Sequence, residues 1–275
     1  MRRIASGLIV IMSVLLVSCN GKTGNTITVG SDKLDNTQSY FSESMHKAAR
    51  CDSGYYYLDK CGASADNLMF YDDKSEESIV LCNKPQCGHD GEECMAYISG
   101  SEFKSELYYY NSYIYMISSK GNFVRISADG TQRTDLGSIC VLSGQDSVSM
   151  CFNDGYAYVS QEITGDIEGN VTVRLYRFNL DTGLSDKIYE ETGYGIGINS
   201  LKTYGSDTFF LKTSVSKDDK GLYSLEGKGI FRITGEDTEC LLDKNVYSYC
   251  IDADNNKLYY SGLGDGTIYE YDLGS

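Results

Sequence analysis

Three cysteines and a histidine form the densest set of metal-ligating side chains in the sequence. Cys82, Cys87, His89 and Cys94 have the spacing C-x4-C-x-H-x4-C. A Cys3His set can bind Zn²⁺ in tetrahedral coordination. In an exported protein, however, such cysteines more often form disulfides that hold together a loop with little core of its own. At this stage a disulfide, a zinc site and free thiols all remain open, and no other cofactor is predicted.

Two further cysteine pairs occupy matching places along the chain. Cys140 and Cys151 are 11 residues apart, and Cys240 and Cys250 are 10 residues apart. Each pair spans the end of one sequence repeat and the start of the next. The matched spacing indicates a shared structural reason. That reason is either a crossover disulfide in each pair or a small buried apolar side chain, since free Cys is among the most buried residue types.

The sequence shows no concentrated set of catalytic side chains. Its two histidines are His46, in a polar N-terminal stretch, and His89, in the Cys-rich segment. Neither has a catalytic nucleophile evident beside it, as covalent catalysis would require. The 39 acidic residues are enough to supply the paired carboxylates of a glycosidase, but the sequence does not bring any two of them together. We therefore expect that the protein is not an enzyme.

The N-terminus has the features of an export and lipidation signal. Arg2 and Arg3 precede an apolar run of 13 residues, 5–17, which is shorter than the ~20 residues of a membrane-spanning helix. The run ends in Leu-Val-Ser-Cys at 16–19, which resembles the bacterial lipobox. The resemblance implies that residues 1–18 are a signal peptide and that Cys19 receives a diacylglyceryl group. An ordinary signal peptide with an incidental Cys is the alternative.

Residues 19–44 are predicted to be a flexible tether behind the lipidated cysteine. They are rich in Ser, Asn, Asp, Gly and Thr, and such a segment buries too little apolar surface to order itself. Two acyl chains are enough for stable anchoring. We therefore expect the protein at the extracytoplasmic face of the cell membrane, held there by its lipid.

The remainder of the chain, residues 45–275, repeats. Short runs of β-forming residues are separated by Gly, Asn and Asp, and each repeat opens with a turn residue followed by an aromatic pair. The equivalent aromatic residues, 58, 43, 52 and 50 residues apart, are Tyr57, Tyr115, Tyr158, Phe210 and Tyr260. A unit of about 50 residues with about four strands is what a β-propeller blade requires. The sequence thus predicts an all-β propeller of four-stranded blades with a Cys-rich insert at 82–94; a β-sandwich or β-solenoid is the alternative.

A second motif follows each aromatic pair, as in Arg-Leu-Tyr-Arg-Phe-Asn at 174–179. With these motifs the repeats resemble the blades of TolB-like and YWTD-like propellers. Together with the lipobox and the Cys-rich insert, they are similar to uncharacterised propeller lipoproteins of Gram-positive anaerobes, a resemblance that informs the fold more than the function. The fifth repeat ends after its second motif, so we expect an incomplete ring. The alternative is that Thr-Ile-Thr-Val at 26–29 supplies the last strand.

Composition narrows the possible partners. The 275 residues carry a net charge of −15, which argues against nucleic acid and anionic lipid headgroups, because both need a basic face. We expect a cell-surface binding or interaction module for a glycan, a peptide or an envelope protein. The alternatives are a propeller-type polysaccharide hydrolase or lyase, weakened by the absence of Trp, and a structural subunit of an envelope complex.

Overall fold

The computed structural model describes residues 48–274, except 100–105, 144–145, 166–168, 236, 263 and 265. The predicted signal peptide, the lipidation site Cys19, the tether and His46 lie outside these residues. Every regular element in the described part is a β-strand. It contains no helix that is long and apolar enough to span a membrane.

Twenty strands follow one another along the chain. They are β1 (Ala48–Cys51), β2 (Gly54–Lys60), β3 (Ala65–Asp72), β4 (Glu77–Val80), β5 (Tyr97–Ser99), β6 (Tyr108–Tyr110), β7 (Tyr113–Ile117), β8 (Asn122–Ser127), β9 (Arg133–Ser138), β10 (Ser147–Asn153), β11 (Tyr156–Thr164), β12 (Asn170–Asn179), β13 (Ser185–Tyr194), β14 (Gly197–Tyr204), β15 (Asp207–Lys217), β16 (Tyr223–Thr234), β17 (Asp237–Leu242), β18 (Val246–Asp252), β19 (Lys257–Gly262) and β20 (Ile268–Asp272).

The strands form five antiparallel sheets, each a meander of neighbours in sequence except that β5 of the first sheet pairs with β3. The sheets are β1–β5, β6–β9, β10–β13, β14–β17 and β18–β20. The second, third and fourth sheets have four strands each, and the fifth has three in the part that the structure describes. This confirms the predicted all-β architecture and the shorter fifth repeat.

The sequence repeats coincide with the sheets. The five equivalent aromatic residues fall on the second strand of each sheet, namely β2, β7, β11, β15 and β19. The second motif forms the third strand, so that 174–179 lies in β12. The turn between the first two strands of the third sheet, β10 and β11, has the left-handed backbone conformation that tight hairpins need, at Asp154 (φ 44°) and Gly155 (φ 79°).

Successive sheets pack face against face, with their first strands side by side: β1 next to β6, then β10, β14 and β18. Four hydrophobic cores fill the four spaces between neighbouring sheets. Representative core pairs, in chain order, are Phe70 with Ile114, Phe123 with Phe178, Leu175 with Phe210, and Ile230 with Ile251. Five sheets with four cores make an open ring, because among the described residues no core joins the fifth sheet to the first. The fold is therefore an open β-propeller, and each sheet is a blade.

Tyrosines link the blades through their hydroxyl groups as well as their rings. A phenol can fill a hydrophobic space and still reach a polar partner, which suits the wedge between two sheets. Phenolic hydrogen bonds cross three of the four interfaces: Tyr56 Oη to Ala128 O (3.1 Å), Gly155 N to Tyr110 Oη (3.3 Å) and Tyr249 Oη to Ser200 O (2.5 Å).

Candidate functional site

The Cys-rich insert interrupts the outer strand of the first blade. β4 and β5 lie end to end along β3, with Val80 paired to Met69 and Tyr97 paired to Asn67. The residue between these two partners, Leu68, accepts a hydrogen bond from Leu81 N and donates one to Ala96 O. The chain therefore leaves the sheet after Leu81 and returns at Ala96, so β4 and β5 are two halves of one strand.

Within this insert the four predicted ligands converge. The ligating atoms of Cys82, Cys87, His89 and Cys94 all lie within 4.8 Å of one another, and His89 Nδ1 is 3.3 Å from Cys94 Sγ. Cys94 is 2% exposed and packs in the core between the first two blades, whereas the other three side chains are half-buried. The loop turns at Gln86 and His89, whose φ angles are 61° and 57°. The arrangement could hold a metal ion.

The surroundings of Cys82 and Cys94 shift the pKa values of these two thiols in opposite directions. Burial disfavours the Cys82 thiolate, but the amides of Lys84 and Met95 and the neighbouring thiols donate to its sulfur and hold its pKa below the ordinary value. Burial raises the pKa of Cys94 to about 12, although the Ala96 amide donates to its sulfur. Without a bound cation, Cys82 therefore ionises before Cys94.

The Cys140–Cys151 pair lies where the sequence places it, between the second and third blades. Their sulfurs are not bonded to each other in the structure. Cys140 packs in the core that also contains Met150. Because neighbouring residues of a strand point to opposite faces, Cys151 turns away from that core, and its charged neighbour is Lys202 of β14. Burial raises the pKa of Cys151 to about 12.

The Cys240–Cys250 pair lies two interfaces further on, between the fourth and fifth blades. Cys240 is exposed on β17, and Cys250 is exposed on β18 between the buried Tyr249 and Ile251. Tyr249 and Ile251 pack towards the fourth blade, so Cys250 points away from it. In both pairs the second thiol faces away from the first, which favours free thiols over the crossover disulfide; the outcome stays a prediction.

A second surface collects large apolar side chains at one end of the blades. In a meander, alternate strands run in opposite directions. The first and third strands of every sheet therefore begin at the end of the ring where the fourth strand finishes. Tyr194 ends β13, Tyr223 begins β16, and Tyr247 lies near the start of β18. With Leu225 they form what we call the tyrosine ledge. Their exposed fractions are 37%, 59%, 61% and, for Leu225, 47%.

Contacts within the ledge fix its shape. The rings of Tyr194 and Tyr223 are stacked, with centroids 6.1 Å apart, and Lys217 Nζ lies 5.2 Å from the centre of the Tyr223 ring. The pKa of Tyr223 is lowered mainly by its hydrogen bond with the phenol of Tyr194 and, to a smaller extent, by its hydrogen bond with Lys217. A Cβ at Gly169 would lie 2.8 Å from the Tyr194 ring, so a glycine there leaves room for the stack.

Beside the ledge, a cleft of about 200 Å³ lies between the fourth and fifth blades. Leu225 and Tyr247 form its apolar wall, and Asn199, Ser200 and Thr213 supply polar groups. The two blades approach closely here because of Gly227, where a Cβ would lie 2.2 Å from Val246 O.

Sequence reasoning missed the ledge. Its tyrosines do not occupy the repeat-equivalent positions, and they are three among 24 tyrosines. One signal was available: Gly-Leu-Tyr-Ser-Leu at 221–225 places three large apolar residues directly after the Lys-Asp-Asp-Lys turn at 217–220. A hairpin tip is normally polar, so apolar residues there indicate a contact surface.

Comparison with known proteins gives the fold alone. The sequence matches no protein-family profile, and no curated protein sequence is similar to it. Among solved structures, oligogalacturonate lyase from Vibrio parahaemolyticus is 7% identical, with a TM-score of 0.51 over 82% of this chain and 64% of the lyase. Prolyl oligopeptidase B from Galerina marginata is 11% identical, with a TM-score of 0.50 over 85% of this chain and 32% of the peptidase. A second oligogalacturonate lyase is covered over 53% of its length, so the chain spans less than two thirds of either lyase.

Proposed function

We propose that this chain is a lipid-anchored, extracytoplasmic propeller module that binds a protein partner through the tyrosine ledge. The observation that carries the proposal is the ledge itself, where four large apolar side chains are exposed at one end of the blades. Exposed apolar patches mark interaction sites, and tyrosine is enriched in them. A tyrosine side chain offers a large contact area at little cost in conformational entropy.

The shape of the surface favours a macromolecule over a small substrate. Pockets for small molecules usually enclose about 300–1,000 Å³, whereas the cleft beside the ledge measures about 200 Å³. Its polar groups, from Asn199, Ser200 and Thr213, are the neutral hydrogen-bonding types that antibody combining sites place between tyrosines. A tyrosine-rich surface beside a small cleft with polar groups suits a polypeptide that lies across both.

The anchor would hold this surface close to the membrane. Diacylglyceryl-Cys19 followed by the polar residues 20–44 would let the propeller move over the envelope without leaving it. The acidic body, with a net charge of −15 for the whole chain, would be repelled by anionic headgroups rather than lie on them. We therefore place the partner among extracytoplasmic proteins of the same cell.

Site-specific photo-cross-linking on intact cells tests this proposal. A benzoylphenylalanine at position 247 replaces a ledge tyrosine, and one at position 184 is the matched control. Leu184 is 69% exposed and lies between β12 and β13, at the other end of the blades. We expect a polypeptide adduct of one defined mass from position 247 and none from position 184.

Other outcomes would overturn the proposal. Equal adducts from both positions would show that the ledge has no preference for a partner. Binding to a glycan array that is lost in Tyr247→Ser would reassign the ledge to carbohydrate. Cleavage of a polysaccharide by the purified chain would make the protein an enzyme.

A further inference from the structure

We propose that Cys82, Cys87, His89 and Cys94 bind one Zn²⁺ ion, which closes the insert and fastens the two halves of the first blade's outer strand. This inference is independent of the ledge and its partner. The four ligating atoms belong to one loop and converge within 4.8 Å, an arrangement that the hydrogen bonds of the sheet do not require.

The observed distances are close to those of a tetrahedral site. With Zn–S bonds of about 2.3 Å and a Zn–N bond of about 2.0 Å, ligand atoms lie roughly 3.5–3.8 Å apart. His89 Nδ1 is already 3.3 Å from Cys94 Sγ, and the widest separation in the set is no more than 4.8 Å. Shifts of roughly 1 Å in half-buried side chains would complete the tetrahedron.

The donor types select the metal. Thiolate and imidazole ligands suit Zn²⁺, whereas Ca²⁺ and Mg²⁺ take oxygen ligands. Three thiolates and one neutral imidazole fill all four positions, which is the pattern of a structural rather than a catalytic zinc. Amide donors already point at the sulfurs: Lys84 N and Met95 N at Cys82, and Ala96 N at Cys94. Such donors orient ligands in zinc sites.

A disulfide explains less of the geometry. It would join two of the three thiols at about 2.05 Å. The third thiol and His89 Nδ1 would then have no reason to lie against the pair. All four atoms share one site, and a single metal ion would be coordinated by all four.

The site's position gives it a mechanical role. Leu81, Cys94 and Ala96 are buried in the core between the first two blades, and Leu68 holds the two ends of the insert together. Zinc bound between 82 and 94 would prevent the loop from opening and would keep β5 paired to β3. Because metal binding to the folded chain alone adds to its stability, removal of the ion should lower the melting temperature.

Native mass spectrometry of the full chain, expressed with zinc and without added oxidant, tests the proposal. We expect one zinc per chain in the wild type and in Cys240→Ser, which removes an exposed thiol outside the cluster. Cys87→Ser and His89→Asn each remove one half-buried ligand and should bind zinc at least tenfold more weakly.

Cobalt substitution in the wild-type protein tests the zinc site without any variant, so the proposal can still be decided if a variant fails to fold. Wild-type protein titrated with Co²⁺ should show thiolate-to-cobalt charge transfer and the visible bands of a tetrahedral site. A metal-free chain two hydrogen atoms lighter than the fully reduced chain, with a disulfide among Cys82, Cys87 and Cys94, would overturn the proposal. So would a Co²⁺ spectrum without a thiolate band, or zinc affinities that are equal in His89→Asn and Cys240→Ser.

Discussion

Removing one phenolic oxygen at a blade interface should measurably destabilise the propeller. Tyr56 is 1% exposed, its ring lies 4.9 Å from Phe70 and 5.4 Å from Tyr109 between centroids, and its hydroxyl donates to Ala128 O of the second blade at 3.1 Å. Tyr56→Phe keeps the ring and removes only the hydroxyl. The carbonyl of Ala128, a residue 1% exposed, then loses this donor.

The expected cost follows from that loss. An unsatisfied buried acceptor costs about 1–3 kcal/mol, and a net hydrogen bond contributes about 1 kcal/mol, so we expect Tyr56→Phe to lower the free energy of unfolding by about 1–2 kcal/mol. In a domain of this size that is a fall in melting temperature of roughly 2–8 °C. Tyr56→Ala also loses the ring and leaves a cavity, so it should cost about 3–5 kcal/mol.

Urea unfolding at constant m-value measures both changes. Tyr247→Phe is the matched control, since the same oxygen is removed from a side chain that is 61% exposed, and it should change the free energy of unfolding by less than about 0.5 kcal/mol. If Tyr56→Phe and Tyr247→Phe have the same small effect, the phenolic bonds between blades do not stabilise the ring and the account of its packing fails.

Three further predictions concern the anchor, the thiols and alkaline pH. Cys19→Ala should release the protein from salt-washed membranes and abolish incorporation of a labelled fatty acid; persistence in the membrane fraction would contradict the lipobox interpretation. In protein prepared without reductant, alkylation and mass mapping should find Cys140, Cys151, Cys240 and Cys250 unlinked, and a 140–151 or 240–250 disulfide would contradict the strand geometry. Burial raises the pKa of Tyr115 to about 12, above the ~10 of an unfolded chain, so the folded state resists ionisation and stability should fall as pH rises from 10 to 12. Tyr115→Phe should flatten that fall in a urea-unfolding series, and an unchanged slope would contradict the assignment.

The blades could be predicted from the sequence because each one repeats its own pattern. An aromatic pair after a turn residue marks the second strand wherever it occurs, and Tyr57 and Tyr260 fall on β2 and β19 as expected. Local sequence determines these features.

The sites depend on neighbours that are distant in sequence, and there the prediction was incomplete. The spacing of Cys82 and Cys94 indicates a cluster, but only the pairing of both β4 and β5 to β3 shows that the insert splits one strand. The matched spacing of the other cysteine pairs does not reveal which face of a strand each thiol occupies. The ledge combines Tyr194, Tyr223 and Tyr247 from three different blades, and no short sequence pattern connects them.

The most direct test of the central claim is the dissociation constant for the protein that cross-links at position 247, measured by titration calorimetry. Buried interface tyrosines often contribute 2 kcal/mol or more, which corresponds to about thirtyfold in affinity. We expect Tyr223→Ser combined with Tyr247→Ser to weaken binding at least thirtyfold, while Leu184→Ser stays within about twofold of the wild type. Equal dissociation constants for the ledge variant and the wild type would contradict the claim that the tyrosine ledge is the binding surface.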